Sequence, residues 1–169
     1  PWMLWDRCFQ VAPAPSKQLA LELWRSEDQL KDDASAGFDR ARNRVASWDE
    51  MPRQAGFVIR TWSVAYDQTK DLQFLRMIEG VLDRIERKRH AKTGLLEVHD
   101  HLSSSASTLS LAIDCNGASH RLPDPLAGRL RALAAKEDEI FCALSHDVKA
   151  SGGFILNYDA ATGAPQSKP

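Results

Sequence analysis

The segment from Arg53 to Arg89 constrains the fold of this chain more than any other stretch. Its second half places apolar residues at the three-and-four spacing of one helix face: Phe74, Leu75, Ile78, Val81, Leu82 and Ile85. Its first half carries a broad apolar stripe that begins at Phe57 and ends before Gln68. Asp71 precedes the second stripe, where its carboxylate can cap the first turn of a helix. Because so short a connection forces two helices to lie antiparallel, the segment predicts an αα-hairpin.

Similar periodicity along the rest of the chain predicts a mainly α-helical protein of stacked antiparallel hairpins. The predicted helices lie near residues 16–31, 53–69, 72–89, 104–116 and 125–144. Asp124-Pro125 is a cap followed by a proline suited to a first helical turn, and Asn116-Gly117 is typical of a helix end. Short β segments are predicted near 95–99 and 153–158. Residues 1–169 are interpreted as one helical-hairpin domain.

The charge balance argues against nucleic acid and membrane as partners. The chain has 22 basic and 23 acidic residues and a formal net charge of −1, so no long-range field attracts an anionic polymer or surface. No apolar run reaches the roughly 20 residues that a membrane-spanning helix needs. Cys8, Cys115 and Cys142 are odd in number and form no CxxC pair, which predicts buried, reduced thiols.

The first residues are unusually apolar for a chain terminus. Trp2, Leu4 and Trp5 fall within five positions, and the chain has neither an initiator methionine nor a signal-peptide pattern. We interpret the chain as a processed product or a piece of a longer one, so its compartment is not assigned. In isolation it is expected to expose apolar surface that absent neighbours would cover.

Three segments of the chain share features with one enzyme superfamily. They are Trp62-Ser63-Val64-Ala65-Tyr66 followed by Thr69-Lys70-Asp71, then Arg89-His90-Ala91-Lys92-Thr93-Gly94-Leu95, and finally Leu109-Ser110-Leu111-Ala112-Ile113-Asp114 with Asp138-Glu139-Ile140-Phe141. Together they resemble the (α/α) toroid carbohydrate-active enzymes, the six-hairpin glycosidase and polysaccharide lyase superfamily. The resemblance implies glycosidic hydrolysis or β-elimination on a polysaccharide or oligosaccharide. The chain offers only about two and a half hairpins, which implies a partial ring whose remaining hairpins belong to a longer chain.

A polar stripe on the fourth predicted helix supplies the candidate catalytic carboxylate. The stripe consists of Ser103, Ser107, Ser110 and Asp114, whose spacing of four, three and four residues places them on one face. In a toroid the inner helices line the cleft, so the stripe would face substrate, with Asp114 as acid, base or hydrogen-bonding group. The alternative is the solvent side of an ordinary amphipathic helix.

Two histidines that precede that helix are further catalytic candidates. Alternation in an extended segment places His99 and His101 on the same side, and imidazole serves as a general base near neutral pH. The alternative is a pair of surface histidines. No metal site is predicted, because no third ligand lies nearby. No cofactor is expected, and the chain lacks a Gly-rich phosphate loop, a GxSxG elbow and an HExxH helix.

The candidate substrate-binding residues are Arg53, Trp62 and Tyr66. Arg53 and Arg60 could neutralise a uronate carboxylate, with solvated or salt-bridged arginines as the alternative. The rings of Trp62 and Tyr66 would offer flat faces to sugar C–H bonds, or would belong to the core. Helix directions predict one pocket, in which Asp114 meets both rings at similar depth.

Two classes of function stay open at this point. One is a carbohydrate-active enzyme, which would gather carboxylate, imidazole, guanidinium and aromatic groups in one cleft. The other is a non-catalytic helical-repeat module, which would spread its contacts along a concave groove. A single carboxylate, Glu137, interrupts the last apolar stripe, so we expect either a buried partner for it or a local break in that face.

Overall fold

The computed structural model describes residues 2–32, 52–98, 104–145 and 157–166. Within these ranges the chain is mainly α-helical, as the sequence predicts. The helices in chain order are α1 (Trp2–Val11), α2 (Pro13–Asp32), α3 (Pro52–Thr69), α4 (Leu72–Arg87), α5 (Ser104–Ser119) and α6 (Leu126–Ser145). Among them we find none with the length and apolarity that a membrane crossing requires.

The predicted αα-hairpin is formed by α3 and α4. Only Lys70 and Asp71 separate the two helices, and Lys70 has a left-handed backbone with φ 56°. The carboxylate of Asp71 accepts a hydrogen bond from the backbone N–H of Gln73 at 2.9 Å and so caps α4. The apolar face of α4 is buried over Phe74, Met77, Ile78, Val81, Leu82 and Ile85. This segment of the chain therefore folds as the sequence predicts.

Two hairpins stack side by side in two layers. Gly56 on α3 lies level with Asp114 on α5, and Arg60 lies level with Gly117. Because the residue numbers increase in the same direction along both helices, α3 and α5 are parallel. In the other layer α4 and α6 are also parallel, since Asp83 pairs with Arg129 at 2.5 Å and Arg89, just beyond α4, pairs with Glu137 at 2.7 Å. This repetition of one hairpin agrees with the predicted stacking of hairpins, whereas the partial (α/α) toroid stays a prediction.

Helices α1 and α2, the first hairpin of the chain, join the stack through α2, which runs antiparallel to α3. The indole N–H of Trp62 donates to the carbonyl of Ala20 at 3.0 Å, and Lys17 pairs with Asp71 at 2.8 Å. Helix α1 was not predicted as a helix, because its ten residues offer too few turns for a clear periodic signal. Its Phe9 belongs to the same core.

Three of the predicted boundaries are corrected by the structure. Helix α5 continues through Asn116-Gly117 to Ser119, because Gly117 serves close packing rather than a left-handed helix end. Helix α6 begins at Leu126, one residue after the predicted start. The peptide bond of Asp124-Pro125 is cis, and the Asp124 carboxylate pairs with Arg131 at 3.1 Å. Helix α2 begins at Pro13 rather than at residue 16.

The predicted β segments are not formed as strands in the described part of the chain. Near 95–99 there is an isolated bridge between Leu96 and Arg89, and Tyr158 forms another with Pro165. Residues 153–156 lie outside the described ranges. The segment 157–166 packs on the turn after α4, where the Thr93 hydroxyl donates to the carbonyl of Ala160.

A buried ion pair interrupts the apolar interior. Glu137 is only 1% exposed, and its carboxylate lies 2.7 Å from the guanidinium of Arg89, which also pairs with Glu86 at 2.8 Å. The first of the two expectations for Glu137, a buried partner, is therefore met. Cys8, Cys115 and Cys142, all within the described ranges, form no disulfide; Cys115 is buried, but Cys142 is exposed, contrary to the expected burial.

Candidate functional site

The candidate site lies at the seam between α3 and α5, where the two helices approach closely. A side chain added at Gly56 would place its Cβ 3.0 Å from the Cα of Leu111. The same Cβ would lie 3.1 Å from the Cβ of Asp114 and 3.2 Å from its Oδ2. The Asp114 side chain therefore lies against the backbone of α3, in space that Gly56 leaves open.

On α5, Gly117 leaves space for a side chain of α3, as Gly56 on α3 does for Asp114. A Cβ at Gly117 would fall 1.3 Å from Nη1 and 2.3 Å from Cζ of Arg60. The guanidinium of Arg60 therefore occupies the place where a side chain of residue 117 would stand. Each helix thus contributes one glycine and one charged side chain. Gly56 of α3 leaves room for the side chain of Asp114, and Gly117 of α5 leaves room for the guanidinium of Arg60.

Burial and charge act on these two groups in opposite directions. Burial raises the pKa of the Asp114 carboxyl, and the positive charge of Arg60 offsets part of that rise. Burial likewise lowers the pKa of the Arg60 guanidinium, which the negative charge of Asp114 opposes. The guanidinium stays protonated at neutral pH, because its ordinary pKa is above 12. The seam therefore holds a carboxyl that protonates more readily than usual beside a permanent cation.

A second ionic cluster lies next to Arg60 and joins three parts of the fold. Arg121, in the connection between α5 and α6, donates two hydrogen bonds to Asp6 of α1, at 2.9 and 2.8 Å. It also donates to Asp67 of α3 at 3.2 Å. Arg121 and Asp6 are close enough to Arg60 to act on its pKa in opposite directions. This Asp6–Arg121–Asp67 cluster joins α1 to the C-terminal end of α3 and to the segment just after α5.

The surface around the seam mixes apolar and polar groups. Phe57, beside Gly56, is 36% exposed, and Ile113, beside Asp114, is 61% exposed. Arg53 and Ser110 lie about one helical turn before these positions and are partly exposed. The residues next to the seam on α3 and α5 thus include an aromatic ring, a guanidinium, a hydroxyl and a carboxyl.

The predicted polar stripe of α5 is not a freely solvated face. Ser107 is fully buried, and Ser110 and Asp114 are partly buried. Ile113, an apolar residue of the same helix, is among the exposed residues. Ser103 lies outside the described residues.

The remaining predicted residues do not gather around Asp114. Trp62 is fully buried and bonds to α2, because it lies two residues from Arg60 and points about 200° away around the helix. Tyr66 is partly buried, and the ammonium of Lys70 lies 5.5 Å from its ring centroid. Arg53 is about one turn from Gly56. The predicted pocket in which Asp114 meets Trp62 and Tyr66 is therefore corrected: Asp114 meets Gly56 and Arg60.

Both candidate catalytic histidines, His99 and His101, lie outside the described residues. Elsewhere in the described ranges no three His, Cys, Asp or Glu side chains are grouped so that they could hold a metal ion. The sequence offered one signal for the seam. Glycine inside a helix costs about 1 kcal/mol relative to alanine, so Gly56 and Gly117 within helical patterns indicate close approach of another group.

Comparisons with protein-family models, with curated proteins and with solved structures give no match to this chain.

Proposed function

We propose that the chain is a carbohydrate-active enzyme, or part of one, which acts on a polysaccharide or oligosaccharide by glycosidic hydrolysis or β-elimination. In this proposal Asp114 is the acid or base. The observation that carries it is a partly buried carboxyl with a raised pKa, seated beside the cation of Arg60. Proton transfer is most efficient when the pKa of the catalytic group is near the working pH, and burial moves a carboxyl in that direction.

The surroundings of Asp114 support a sugar as the ligand. Phe57 offers a partly exposed ring to the C–H face of a saccharide, and Ser110 and Arg53 offer hydrogen-bond donors to its hydroxyls or carboxylate. The histidines His99 and His101 remain proposed catalytic groups. Trp62 is given no contact with substrate, since it is fully buried.

The architecture supports a partial (α/α) toroid as the scaffold for this activity. In such a ring the inner helices run parallel around the cleft, and the outer helices cover them. The parallel pair α3 and α5 with the parallel pair α4 and α6 repeats that two-layer arrangement. Asp114 on the α3–α5 layer would then face the cleft.

The test is a comparison of Asp114→Asn with Asp124→Asn on a panel of neutral and acidic oligosaccharides. Asp124 is a matched control because it is an exposed aspartate paired with Arg131. We expect Asp114→Asn to lower kcat about 100-fold or more with little change in substrate Kd, and Asp124→Asn to leave both unchanged. Both reactions release a new reducing end, so the distinguishing product is an unsaturated sugar that absorbs ultraviolet light, which forms in β-elimination and not in hydrolysis. Equal kcat in the wild-type chain and Asp114→Asn would contradict the proposal.

A non-catalytic helical-repeat module is the second candidate function. It is favoured by apolar side chains that stand exposed on the first hairpin, at Leu4, Val11 and Leu19. Chemical-shift mapping separates the two functions. A sugar substrate would perturb amides grouped around Asp114, whereas a protein partner would perturb amides spread along the hairpins.

A further inference from the structure

The two glycines of the seam differ in what they accommodate. At Gly56 an added Cβ would meet backbone, the Cα of Leu111 at 3.0 Å. At Gly117 it would meet only the guanidinium of Arg60, three atoms of which lie within 2.9 Å. Gly56 therefore sets the distance between the helices, whereas Gly117 provides a seat for one particular side chain.

The seat holds Arg60 at the level of Asp114. Helices α3 and α5 are parallel, and Asp114 and Gly117 are three residues apart on α5, which places them on the same face. Arg60 is 9% exposed, so its guanidinium has little freedom to leave the seam for solvent. The Asp6–Arg121–Asp67 cluster adds a second cation and two carboxylates beside it.

We propose that Arg60 is a positioning residue of the Asp114 site: seated over Gly117, its guanidinium is held about one helical turn from Asp114 and places a fixed positive charge next to that carboxyl. This inference rests on the proposed function for its catalytic consequence, but the seating itself does not. Among the described residues, Arg60 is the cation that acts on the Asp114 carboxyl. The other charged groups that act on Arg60 itself are Arg121 and Asp6.

The experiment follows the Asp114 carboxyl carbon by ¹³C NMR as a function of pH, with Asp114→Asn used to assign the signal. Arg60→Met is expected to raise the titration midpoint by about 1 pH unit, because a neighbouring cation favours the carboxylate. Arg60→Lys keeps a charge without the planar fork and is expected to give a smaller rise. Arg131→Met removes an exposed arginine that pairs with Asp124 and is expected to leave the midpoint unchanged.

Gly117→Ala is the decisive variant, because it keeps every charge and fills only the seat. The guanidinium must then leave its place over residue 117, and the Asp114 midpoint is expected to rise in the same direction as in Arg60→Met. A wild-type midpoint in Gly117→Ala overturns the proposal, whatever the Arg60 variants do. If Arg60→Met does not fold, Gly117→Ala and Arg60→Lys give the same decision.

The catalytic consequence has its own readout. In an active chain, Gly117→Ala is expected to lower kcat with KM nearly unchanged. It should also move the limb of the pH–rate profile that Asp114 governs by the same interval as the NMR midpoint. A chain without activity on any saccharide would end the proposed function and leave the NMR result standing. An active chain whose Asp114 midpoint ignores Gly117→Ala would end the positioning role alone.

Discussion

At the scale of single residues, the packing of Arg60 over Gly117 predicts that Gly117→Ala changes the free energy of unfolding in opposite directions with and without the Arg60 side chain. Gly117→Ala alone is expected to destabilise the fold by about 1–2 kcal/mol, because the new Cβ displaces a buried guanidinium. In an Arg60→Ala background the same change is expected to stabilise it by about 0.5–1 kcal/mol, the ordinary gain of alanine over glycine inside a helix. Urea unfolding of the four proteins in the cycle measures the coupling.

Gly80 provides the matched control for this cycle. It also lies inside a helix, but an added Cβ would meet only Nη1 of Arg84 at 3.6 Å, an ordinary van der Waals contact. Gly80→Ala is therefore expected to stabilise the fold by about 0.5–1 kcal/mol with or without Arg60. A Gly117→Ala variant that behaves like Gly80→Ala in both backgrounds would show that residue 117 does not hold Arg60.

The buried carboxyl of Glu137 predicts a pH dependence of stability. Burial raises its pKa above the unfolded value, and Arg89 offsets the rise only in part. At pH values between the unfolded and the folded pKa of Glu137, the folded state binds the proton more tightly than the unfolded state does. The contribution of Glu137 to the free energy of unfolding is therefore greatest at acidic pH and falls as the pH rises above about 4.5. We expect Glu137→Gln to gain stability relative to the wild-type chain between about pH 4 and pH 7.

Paired urea titrations at the two pH values measure this difference. Carboxyls whose pKa is lowered, such as Asp71 and Asp159, contribute an opposite slope, but they are present in both proteins and cancel. A difference in the free energy of unfolding that is constant with pH would contradict the assignment to Glu137.

At the scale of elements, the N-terminus of α5 is capped from far along the chain. The side-chain oxygen of Asn157 accepts a hydrogen bond from the backbone N–H of Ser104 at 3.1 Å. Asn157→Ala is expected to destabilise the fold by about 1 kcal/mol, the usual cost of losing a cap. The loss should appear as faster amide hydrogen exchange in the first turn of α5.

The backbone of Asn157 is unaffected by this change, because its carbonyl still accepts from Gln166 at 2.9 Å. Asn116→Ala, at an exposed position on the same helix, is the control and should leave exchange in the first turn of α5 as it is. Unaltered exchange there in Asn157→Ala would mean that α5 does not depend on this cap.

The helices themselves could be predicted because their signals are local. The apolar face of α4 and the cap at Asp71 lie within a few residues of each other, so periodicity and capping fix that helix without knowledge of its neighbours. In α5 the local signals predicted the helix but not its end or its buried face. Its buried side includes serines and a threonine, its exposed Ile113 is apolar, and Gly117 resembles a helix end. Tertiary contacts override local propensity there.

The candidate site could be predicted only in part for the same reason. The sequence identified Asp114 and the parallel course of its helix with α3. The offset of α3 along α5 depends on Gly56, where the two backbones approach each other closely. The spacing of residues within one helix does not predict this offset. The face of α3 that turns toward α5 matters as well, because Arg60 and Trp62 lie about 200° apart around the helix and only one of them can lie next to Asp114.

At the scale of the whole molecule, the first hairpin, formed by α1 and α2, carries a prominent apolar surface. Leu4 is 66% exposed on α1 and Leu19 is 52% exposed on α2. Between the two helices lies a cavity of about 290 Å³ lined by Leu4, Trp5, Cys8, Pro15, Ser16 and Leu19. Single exposed apolar residues are ordinary on proteins, but a cavity flanked by several of them offers a continuous surface.

This surface predicts that the purified chain binds a hydrophobic dye and that two substitutions reduce the binding. In Leu4→Ser/Leu19→Ser the two exposed leucines that line the cavity become polar, so we expect the dye fluorescence to fall about threefold or more. Stability should change by less than about 0.5 kcal/mol per site, since exposed positions contribute little to the core. Leu72→Ser is the matched control, because Leu72 is a 57% exposed leucine at the start of α4, outside the lining of this cavity. Its fluorescence should stay at the wild-type value. If the wild-type chain binds no dye, or if Leu72→Ser lowers the signal as much as the double variant, the first hairpin does not form a distinct apolar surface.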